Sequence, residues 1–201
     1  MKVMNAILIS LALLLFSGAA AAQTYVVNAD ASEMAWIGEK VTGQHNGTIN
    51  IKEGEFTIDG ENMSGAFVID MNSLYVLDIP ADNENHAKLT GHLKSDDFFS
   101  VGTYPEATFT VTKVLPYRAR EGETANYKVT GDLTIKGITN EISFPAHIDI
   151  ADGKMTAKAS FSVDRSRWNV RYGSGTFFDN LGDKLIYDDF HIDLNLVGSA
   201  Q

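Results

Sequence analysis

The sequence predicts an all-β domain of antiparallel strands, and two observations carry this prediction. From residue 23 onward, apolar and polar residues alternate with a period of two in short runs, as in GAFVIDM (65–71) and FHIDLNL (190–196). Tight-turn sequences that place glycine beside a polar residue separate such runs, as in IKGITN (135–140) and IADGKM (150–155). Each strand therefore presents one apolar face and one polar face, as expected of an antiparallel sheet.

The remaining elements follow the same rules in chain order. Further alternating runs are ATFTVT (107–112), YKVTGDLTI (127–135), ISFPAHIDI (142–150) and AKASFSV (157–163). Pro145 lies inside one of them and indicates a sheet edge or a bulge, because proline cannot donate to a strand ladder. The interval ADNENHAKLTGHLK (81–94) lacks β-branched residues apart from Thr90 and predicts a short helical segment around 82–94, with Asp82 as its N-cap.

The first 22 residues are predicted to be a secretory signal peptide. Lys2 precedes an apolar run at residues 6–16, and small residues follow up to a cleavage motif that ends at Ala22. The apolar run is too short to span a bilayer, which needs about 20 residues. With no linker or internal repeat beyond it, residues 23–201 are predicted to form one domain of a periplasmic or secreted protein.

The composition excludes several classes of function. Asp and Glu number 26 against 16 Lys and Arg, giving a net charge of −10. This charge argues against nucleic acid as a partner and against docking on anionic lipid head groups, since both require Lys and Arg. Stable membrane insertion is not expected either. The chain has no cysteine, which excludes disulfides, thiol catalysis and thiolate metal sites.

The polar residues suggest no metal site and no catalytic site. The five histidines form no HExxH or HxH pair, so no metal and no cofactor is expected. Most aspartates, Asp78 and Asp188 among them, lie in turn-like stretches where carboxylates are usually solvated or act as caps. His45 lies between two glycines in TGQHNGTI (42–49). It is either a turn residue in water or a hydrogen-bonding group for a ligand at the end of a barrel.

The apolar faces leave the nature of the core open. They are rich in phenylalanine but also contain Gly47, Gly65, Gly131, Ala157 and Ala159. The strands could form a sandwich or a barrel of about eight strands. Large and small side chains could interdigitate in a filled core, or they could leave a tube inside a barrel.

A charged segment, DRSRW (164–168), raises a similar choice. Either Arg165 folds over Trp168 or over an acidic side chain and closes one end of the domain, or Trp168 lines a ligand tunnel.

Four segments together resemble the YceI-like family of exported polyisoprenoid-binding proteins. They are GQHNGTI (43–49), HLKSDDFFSVGTYPEATF (92–109), GDLTIKGITNEISFPA (131–146) and FSVDRSRWNV (161–170). The resemblance implies a single lipocalin-like antiparallel barrel with a hydrophobic tunnel. That tunnel would carry or store a polyisoprenoid, a prenyl quinone, a fatty amide or acid, or another long-chain lipid, without catalysis. Whether the protein is a monomer or a homodimer stays open.

The predicted ligand-binding residues are the inward-facing members of the strands, together with residues at the barrel ends. Phe98 and Phe99 cannot both follow strand alternation, and they are predicted to cross the barrel end as a gate. The predicted set is Trp36, His45, Ile49, Phe56, Phe67, Ile69, Phe98, Phe99, Phe109, Leu133, Phe144, Phe161, Trp168, Phe190, Ile192 and Leu194.

Two other functions remain open at this stage. One is a periplasmic hydrolase or isomerase of lipid-like substrates that uses His45 or His92 as a base. The other is a stress or adhesion scaffold that carries no lipid.

Overall fold

Nine antiparallel strands wind into a barrel in the computed structural model, which describes residues 21–201. The predicted signal peptide therefore falls almost wholly outside the described residues. The strands are β1 (Gln23–Val27), β2 (Glu33–Lys40), β3 (Gly43–Asp59), β4 (Asn62–Val76), β5 (Glu106–Pro116), β6 (Tyr127–Ile135), β7 (Ile138–Ala151), β8 (Lys154–Asp164) and β9 (Ile186–Ala200).

The barrel is closed and has eight strand positions. The order β3-β2-β9-β8-β7-β6-β5-β4 returns to β3, because β3 and β4 are also paired. β1 and β2 share one position between β3 and β9. Tyr25 of β1 pairs with Phe56 of β3, whereas Trp36 of β2 pairs with Gly47 of β3 and Ile192 of β9. The prediction of a barrel of about eight strands is confirmed, and the alternative of a sandwich is wrong.

Two of the predicted turns are tight hairpins. Lys136 and Gly137 join β6 to β7 with φ values of 50° and 72°, and Asp152 and Gly153 join β7 to β8 with φ values of 52° and 72°. Both central residues of a type I′ turn require positive φ, which glycine and aspartate accept more readily than most residues. These turns fix the register of three consecutive strands.

Pro145 lies at a local edge inside the closed barrel. It pairs with Lys128 of β6, but the ladder between β7 and β8 begins only at Ala146 and Ala159. The missing N–H of proline is therefore not needed on the β8 side, which confirms the predicted edge. Beside this point, the rings of Phe144 and Phe161 stack 4.0 Å apart across the junction of the two strands.

Glycine in the inner wall makes room for aromatic rings. The Phe109 ring lies over Gly131, where an added Cβ would be 2.5 Å from the ring and 2.5 Å from the Thr110 carbonyl oxygen. The ring thus occupies the space that a side chain on the facing strand would otherwise take.

Replacing Gly131 with alanine is expected to lower the free energy of unfolding by about 1–3 kcal/mol, because neither the ring nor the backbone can move without strain. Urea denaturation measures the change. Gly38→Ala is the matched control, since nothing lies within 4 Å of its Cβ position, and it should cause no loss. Equal losses in the two variants would contradict the steric explanation.

One α-helix, α1 (Glu84–Lys94), packs against the end of β4. Its N-cap is Asn83, whose side chain accepts a hydrogen bond from the Asn85 N–H at 2.9 Å. The predicted helix is confirmed, but the predicted cap, Asp82, is wrong by one residue. Both residue types suit an N-cap, so the sequence pattern alone does not distinguish them. Within residues 21–201, no helix has the length and apolar content needed to cross a membrane.

Candidate ligand-binding site

The barrel encloses a cavity of about 280 Å³ with an apolar wall. This volume is close to the lower end of small-molecule pockets, about 300 Å³, so the space suits a single slender ligand. All of the predicted binding residues except Trp168 lie on the wall. They are Trp36, His45, Ile49, Phe56, Phe67, Ile69, Phe98, Phe99, Phe109, Leu133, Phe144, Phe161, Phe190, Ile192 and Leu194.

A row of phenylalanine rings crosses the wall from β4 to β8. The centroid distances are 6.5 Å from Phe67 to Phe109, 5.7 Å from Phe109 to Phe144, and 4.0 Å from Phe144 to Phe161. The first two separations fall within about 4.5–7 Å, the range of favourable aromatic contacts, and the nearly parallel rings of Phe144 and Phe161 lie closer still. The rings hold one another in place and form a rigid surface before any ligand arrives.

The small residues of the inner wall have two different roles. Gly47, Gly65 and Gly131 lie beneath aromatic rings, so at these positions large side chains fill the space that the glycines leave. Ala157 and Ala159 of β8 line the cavity, and their short side chains leave room that larger ones would take. Interdigitated side chains and an open lumen therefore both occur inside the barrel, at different positions.

Polar residues border the cavity at one end of the barrel, which we call the mouth, although the wall itself is almost entirely apolar. The mouth lies where β2 ends, where β3 and β9 begin, and where β8 leaves the barrel. Its polar residues are Glu39, Lys40, His45, Arg165, Tyr187 and Asp189. The opposite end is closed by buried apolar residues that include Tyr25, Ile148, Met155 and Leu196.

His45 at the mouth forms an ordered pair with Asp78. The imidazole Nδ1 lies 2.7 Å from Asp78 Oδ2, and the Asn46 N–H donates to Asp78 Oδ1 at 3.0 Å. The two side chains are 30% and 26% exposed. Burial alone would raise the pKa of Asp78, but hydrogen bonds from Asn46 and His45 outweigh it and hold the pKa below its ordinary value of 3.8.

The sequence did not identify Asp78 as part of the site. The aspartate follows β4 and lies 33 residues from its partner. Only the pairing of β3 with β4 brings the two together.

Asp78→Asn is expected to remove a pH-dependent contribution to stability. Because the folded-state pKa of Asp78 is lowered, this contribution is present above the ordinary pKa and is lost as the pH falls through the folded value. The difference in unfolding free energy between wild type and variant should be at most about 1 kcal/mol at neutral pH, as for a partly exposed pair. It should shrink towards zero in acid. Urea denaturation across pH 2–7 measures it, and a difference that grows in acid would contradict the assignment.

Arg165 connects the mouth to the interior and is only 4% exposed. Its guanidinium donates to the carbonyl oxygens of Val170, Ile186 and Tyr187 at 2.9, 3.0 and 3.2 Å. Nη2 also lies 3.4 Å from Asp188 Oδ1. Burial lowers the pKa of Arg165. The hypothesis that Arg165 closes one end by meeting an acid is supported.

Trp168 does not lie on the cavity wall, so its predicted tunnel position is wrong. Its indole is fully buried in a core cluster that also contains Ile69 and Val163, and it donates to the Leu133 carbonyl oxygen at 2.9 Å. Arg167, and not Arg165, covers it, with 5.2 Å between the guanidinium carbon and the ring centroid. A short 3₁₀ helix, Arg165–Trp168, carries the indole, and the hydrogen bond to Leu133 places it beside the end of β6.

Helix α1 and the turn after it cover part of the barrel end beside the mouth. Leu89 and Leu93 of the helix and Phe98 and Phe99 of the turn all reach the wall. Ser95 caps the helix and accepts a backbone hydrogen bond from the Phe98 N–H at 3.1 Å. Adjacent residues of a strand point to opposite faces, but both of these rings reach the cavity, because the turn lies outside the strands.

Phe98 is also the centre of an aromatic cluster. Its ring lies 5.0 Å from His92 and 5.5 Å from Tyr172, and the Arg165 guanidinium lies 5.6 Å from its centroid. His92 is thus a packing partner of the covering turn and does not line the cavity, so the hypothesis of His92 as a catalytic base loses its geometric support. Among residues 21–201, no group of three or more His, Asp or Glu side chains is placed to hold a metal ion.

A closed eight-position antiparallel barrel around an apolar lumen belongs to the class of cavity-bearing barrels, whose interiors can hold one small ligand. A family model for the YceI-like domain matches residues 25–198. A UPF0312 protein of Photorhabdus laumondii is 35% identical over 150 residues, covering 71% of this chain and 70% of that protein. The chain spans about half the length of other curated relatives that it matches. The chain therefore belongs to the YceI-like family.

Solved structures share the fold at lower identity. BcnA of Burkholderia cenocepacia has a TM-score of 0.64 and 23% identity, covering 85% of this chain and 98% of that one. A polyisoprenoid binding domain from Saccharophagus degradans, implicated in plant cell wall breakdown, has a TM-score of 0.59 and 18% identity. It covers 88% of this chain and 98% of that domain. These likenesses concern the fold.

Proposed function

We propose that this protein binds the long apolar chain of a lipid, such as a polyisoprenoid, inside its barrel, and carries or stores it without catalysis. The observation that carries the proposal is an apolar cavity that polar residues border at the mouth. A lipid with one apolar tail and one polar head matches this arrangement. Membership of the YceI-like family and the fold shared with a polyisoprenoid binding domain support it.

The energetic basis is burial of the tail. Each Å² of apolar surface removed from water contributes about 25 cal/mol, before the cost of ordering a flexible chain. The ring row of Phe67, Phe109, Phe144 and Phe161 is rigid in advance, which lowers the part of that cost borne by the protein. The wall offers a ligand few polar partners, so the protein should bind lipid tails of different lengths with similar affinity.

The proposed setting is the periplasm. The signal peptide predicted at residues 1–22 supports export, with secretion as the alternative. A soluble carrier would let a lipid tail cross an aqueous compartment without exposure to water.

Phe98 and Phe99 are proposed to slow the exit of the ligand. Replacing both with alanine should increase the dissociation rate of a bound prenyl lipid by at least about tenfold, which corresponds to about 1.4 kcal/mol. Strand content by circular dichroism should be unchanged, since both residues lie outside the strands. Stopped-flow release measures the rate, and an unaltered rate would show that the pair only packs the core.

A direct test of tail binding uses Trp36 as the reporter. Its indole lies on the cavity wall, whereas Trp168, the second tryptophan of the chain, does not. Titrating delipidated protein with geranylgeraniol should quench Trp36 fluorescence saturably at a 1:1 ratio. Trp36→Phe should remove most of this signal, and absence of saturable quenching in the wild type would contradict the proposal.

A second candidate, a hydrolase or isomerase of lipid-like substrates, is favoured by one observation. Nδ1 of His45 lies 2.7 Å from the Asp78 carboxylate, and such a contact orients a histidine that acts as a base. Turnover of a prenyl ester that disappears in His45→Ala, with ligand affinity retained, would favour catalysis over carriage. If the wild type turns over no prenyl ester, the hydrolase candidate is wrong and carriage stands as the proposed function.

A further inference from the structure

We propose that the mouth end of the barrel docks reversibly on the surface of a lipid bilayer whose head groups carry no net charge. The inference rests on the proposed function, since a carrier of lipid tails has to take its cargo from a membrane or deliver it to one. It is carried by the positions of the exposed apolar side chains and by the charges that lie among them.

The first part of the argument is the uneven distribution of exposed apolar side chains. Among residues 21–201, six large apolar side chains are 45% or more exposed, and five of them lie at the mouth end. These five, which we call the apolar rim, are Val41, Leu77, Tyr172, Phe178 and Tyr187. The sixth, Leu115, lies near the end of β5 at the opposite end of the barrel. Single exposed apolar side chains are normal, but their concentration at one end indicates an interaction site.

Backbone hydrogen bonds join the segments that carry the apolar rim. They run from the N–H of Val41 to the Leu185 carbonyl oxygen at 3.2 Å, from Ile186 to Gly173 at 2.8 Å, and from Leu77 to Asn46 at 2.9 Å. The β2–β3 turn, the start of β9, the loop before it and the segment after β4 therefore meet at the mouth. Phe178 lies in that same loop, where Thr176 Oγ1 donates to Asp188 Oδ2 of β9 at 2.7 Å.

The second part is the chemistry of the apolar rim and its continuity with the cavity. Three of its five members are aromatic, and tyrosine and other aromatic side chains are enriched where proteins meet the interface of a bilayer. Tyr187 also borders the cavity. The Tyr172 ring lies 5.5 Å from that of Phe98, which reaches the cavity wall. A lipid tail that leaves a bilayer under the rim would therefore reach the lumen along apolar surface.

The third part concerns charge, which favours an uncharged lipid surface over other partners. Acidic residues outnumber basic ones around the mouth: Glu39, Asp78, Asp179, Asp183, Asp188 and Asp189 against Lys40, Arg165, Arg171 and Lys184. Docking on an anionic membrane requires an excess of Lys and Arg, which this end lacks. Two copies of the chain that meet mouth to mouth would bring like charges together. Phosphatidylcholine has no net charge and meets neither obstacle.

The first experiment measures flotation of the full delipidated chain with phosphatidylcholine vesicles. Wild type should bind them reversibly, and adding phosphatidylglycerol should weaken binding at low ionic strength, where surface charges are least screened. Leu77→Ser should lower the partition coefficient about threefold to tenfold, because less apolar surface leaves water. Leu115→Ser is the matched control, since it makes the same change at the opposite end, and it should bind as wild type does.

A second experiment follows the delivery of geranylgeraniol from loaded protein to phosphatidylcholine vesicles. The rate should rise in proportion to vesicle concentration, because an encounter between protein and vesicle precedes transfer. Leu77→Ser should reduce this dependence at least about threefold, whereas Leu115→Ser should leave it unchanged. Leu77 does not line the cavity, so the Kd of its variant for geranylgeraniol, measured by Trp36 quenching without vesicles, should match that of wild type.

The outcomes separate docking from tail binding. Saturable quenching of Trp36 without flotation of wild type, or with equal flotation of Leu77→Ser and Leu115→Ser, would overturn the docking inference while tail binding stands. Tighter binding to vesicles that contain phosphatidylglycerol would overturn it as well, since charge would then drive the contact. Self-association of wild type that is lost in Leu77→Ser would assign the apolar rim to a second copy of the chain and overturn membrane docking. Absence of quenching by geranylgeraniol would instead overturn the proposed function, on which the inference rests.

Discussion

Arg165→Met is expected to lower the free energy of unfolding by about 3–5 kcal/mol, the cost of breaking a buried ion pair by removing one partner. The methionine keeps most of the buried hydrocarbon but leaves the carbonyl groups of Val170, Ile186 and Tyr187 without donors. It also leaves Asp188 beside an apolar side chain, and the buried Oδ1 of Asp188 has no hydrogen-bond partner among residues 21–201. Guanidinium denaturation of the two proteins measures the loss.

Arg167→Met is the matched control for this prediction. Arg167 is exposed, donates to the Glu141 carbonyl oxygen at 2.8 Å and covers Trp168 from outside. Its removal should cost about 1 kcal/mol or less, as is usual for an exposed cation over an aromatic ring. If both variants lose the same small amount, Arg165 does not hold the mouth segment to the barrel.

Ala159→Phe is expected to raise the Kd for geranylgeraniol by at least about tenfold, or 1.4 kcal/mol. Ala159 faces the cavity from β8, between Ala146 and Leu194 on the neighbouring strands. A phenyl ring there would occupy the space proposed for the lipid chain. Because the ring fills existing space, the unfolding free energy should be unchanged or higher. Fluorescence titration gives the affinity and urea denaturation gives the stability.

Ser160→Phe adds the same ring at the next residue, which is exposed on the outer surface. Its affinity for geranylgeraniol should match that of wild type. A folded Ala159→Phe variant that still binds with wild-type affinity would place the ligand outside the barrel.

The fold was largely predictable because local signals and tertiary structure agree. The two-residue alternation in runs such as FHIDLNL (190–196) predicts the inner face of β9. Glycine after a polar residue predicts the β6–β7 and β7–β8 turns. For helix α1 only the cap was predicted wrongly, because Asn83 and Asp82 both have a side-chain oxygen that can cap a helix. No local sequence pattern predicts that β1 and β2 share one barrel position. That arrangement depends on which halves of β3 and β9 each strand pairs with in the closed barrel.

The cavity wall was predictable for the same reason, since strand parity fixes which side chains face inward. The polar residues at the mouth were less predictable from the sequence. Asp78 joins the site only because β3 and β4 bring it to His45. Trp168 was misplaced because the segment after β8 leaves strand geometry, and parity no longer states where a side chain points. Phe98 and Phe99 both reach the wall because they too lie outside a strand.

The most direct test of the central claim, that the cavity holds a long-chain lipid, is mass spectrometry of organic extracts from natively purified protein. The account predicts a reproducible lipid with a long apolar chain, near one molecule per protein in wild type and strongly depleted in Ala159→Phe. Extracts of folded wild-type protein that contain no more lipid than those of the Ala159→Phe variant would contradict it.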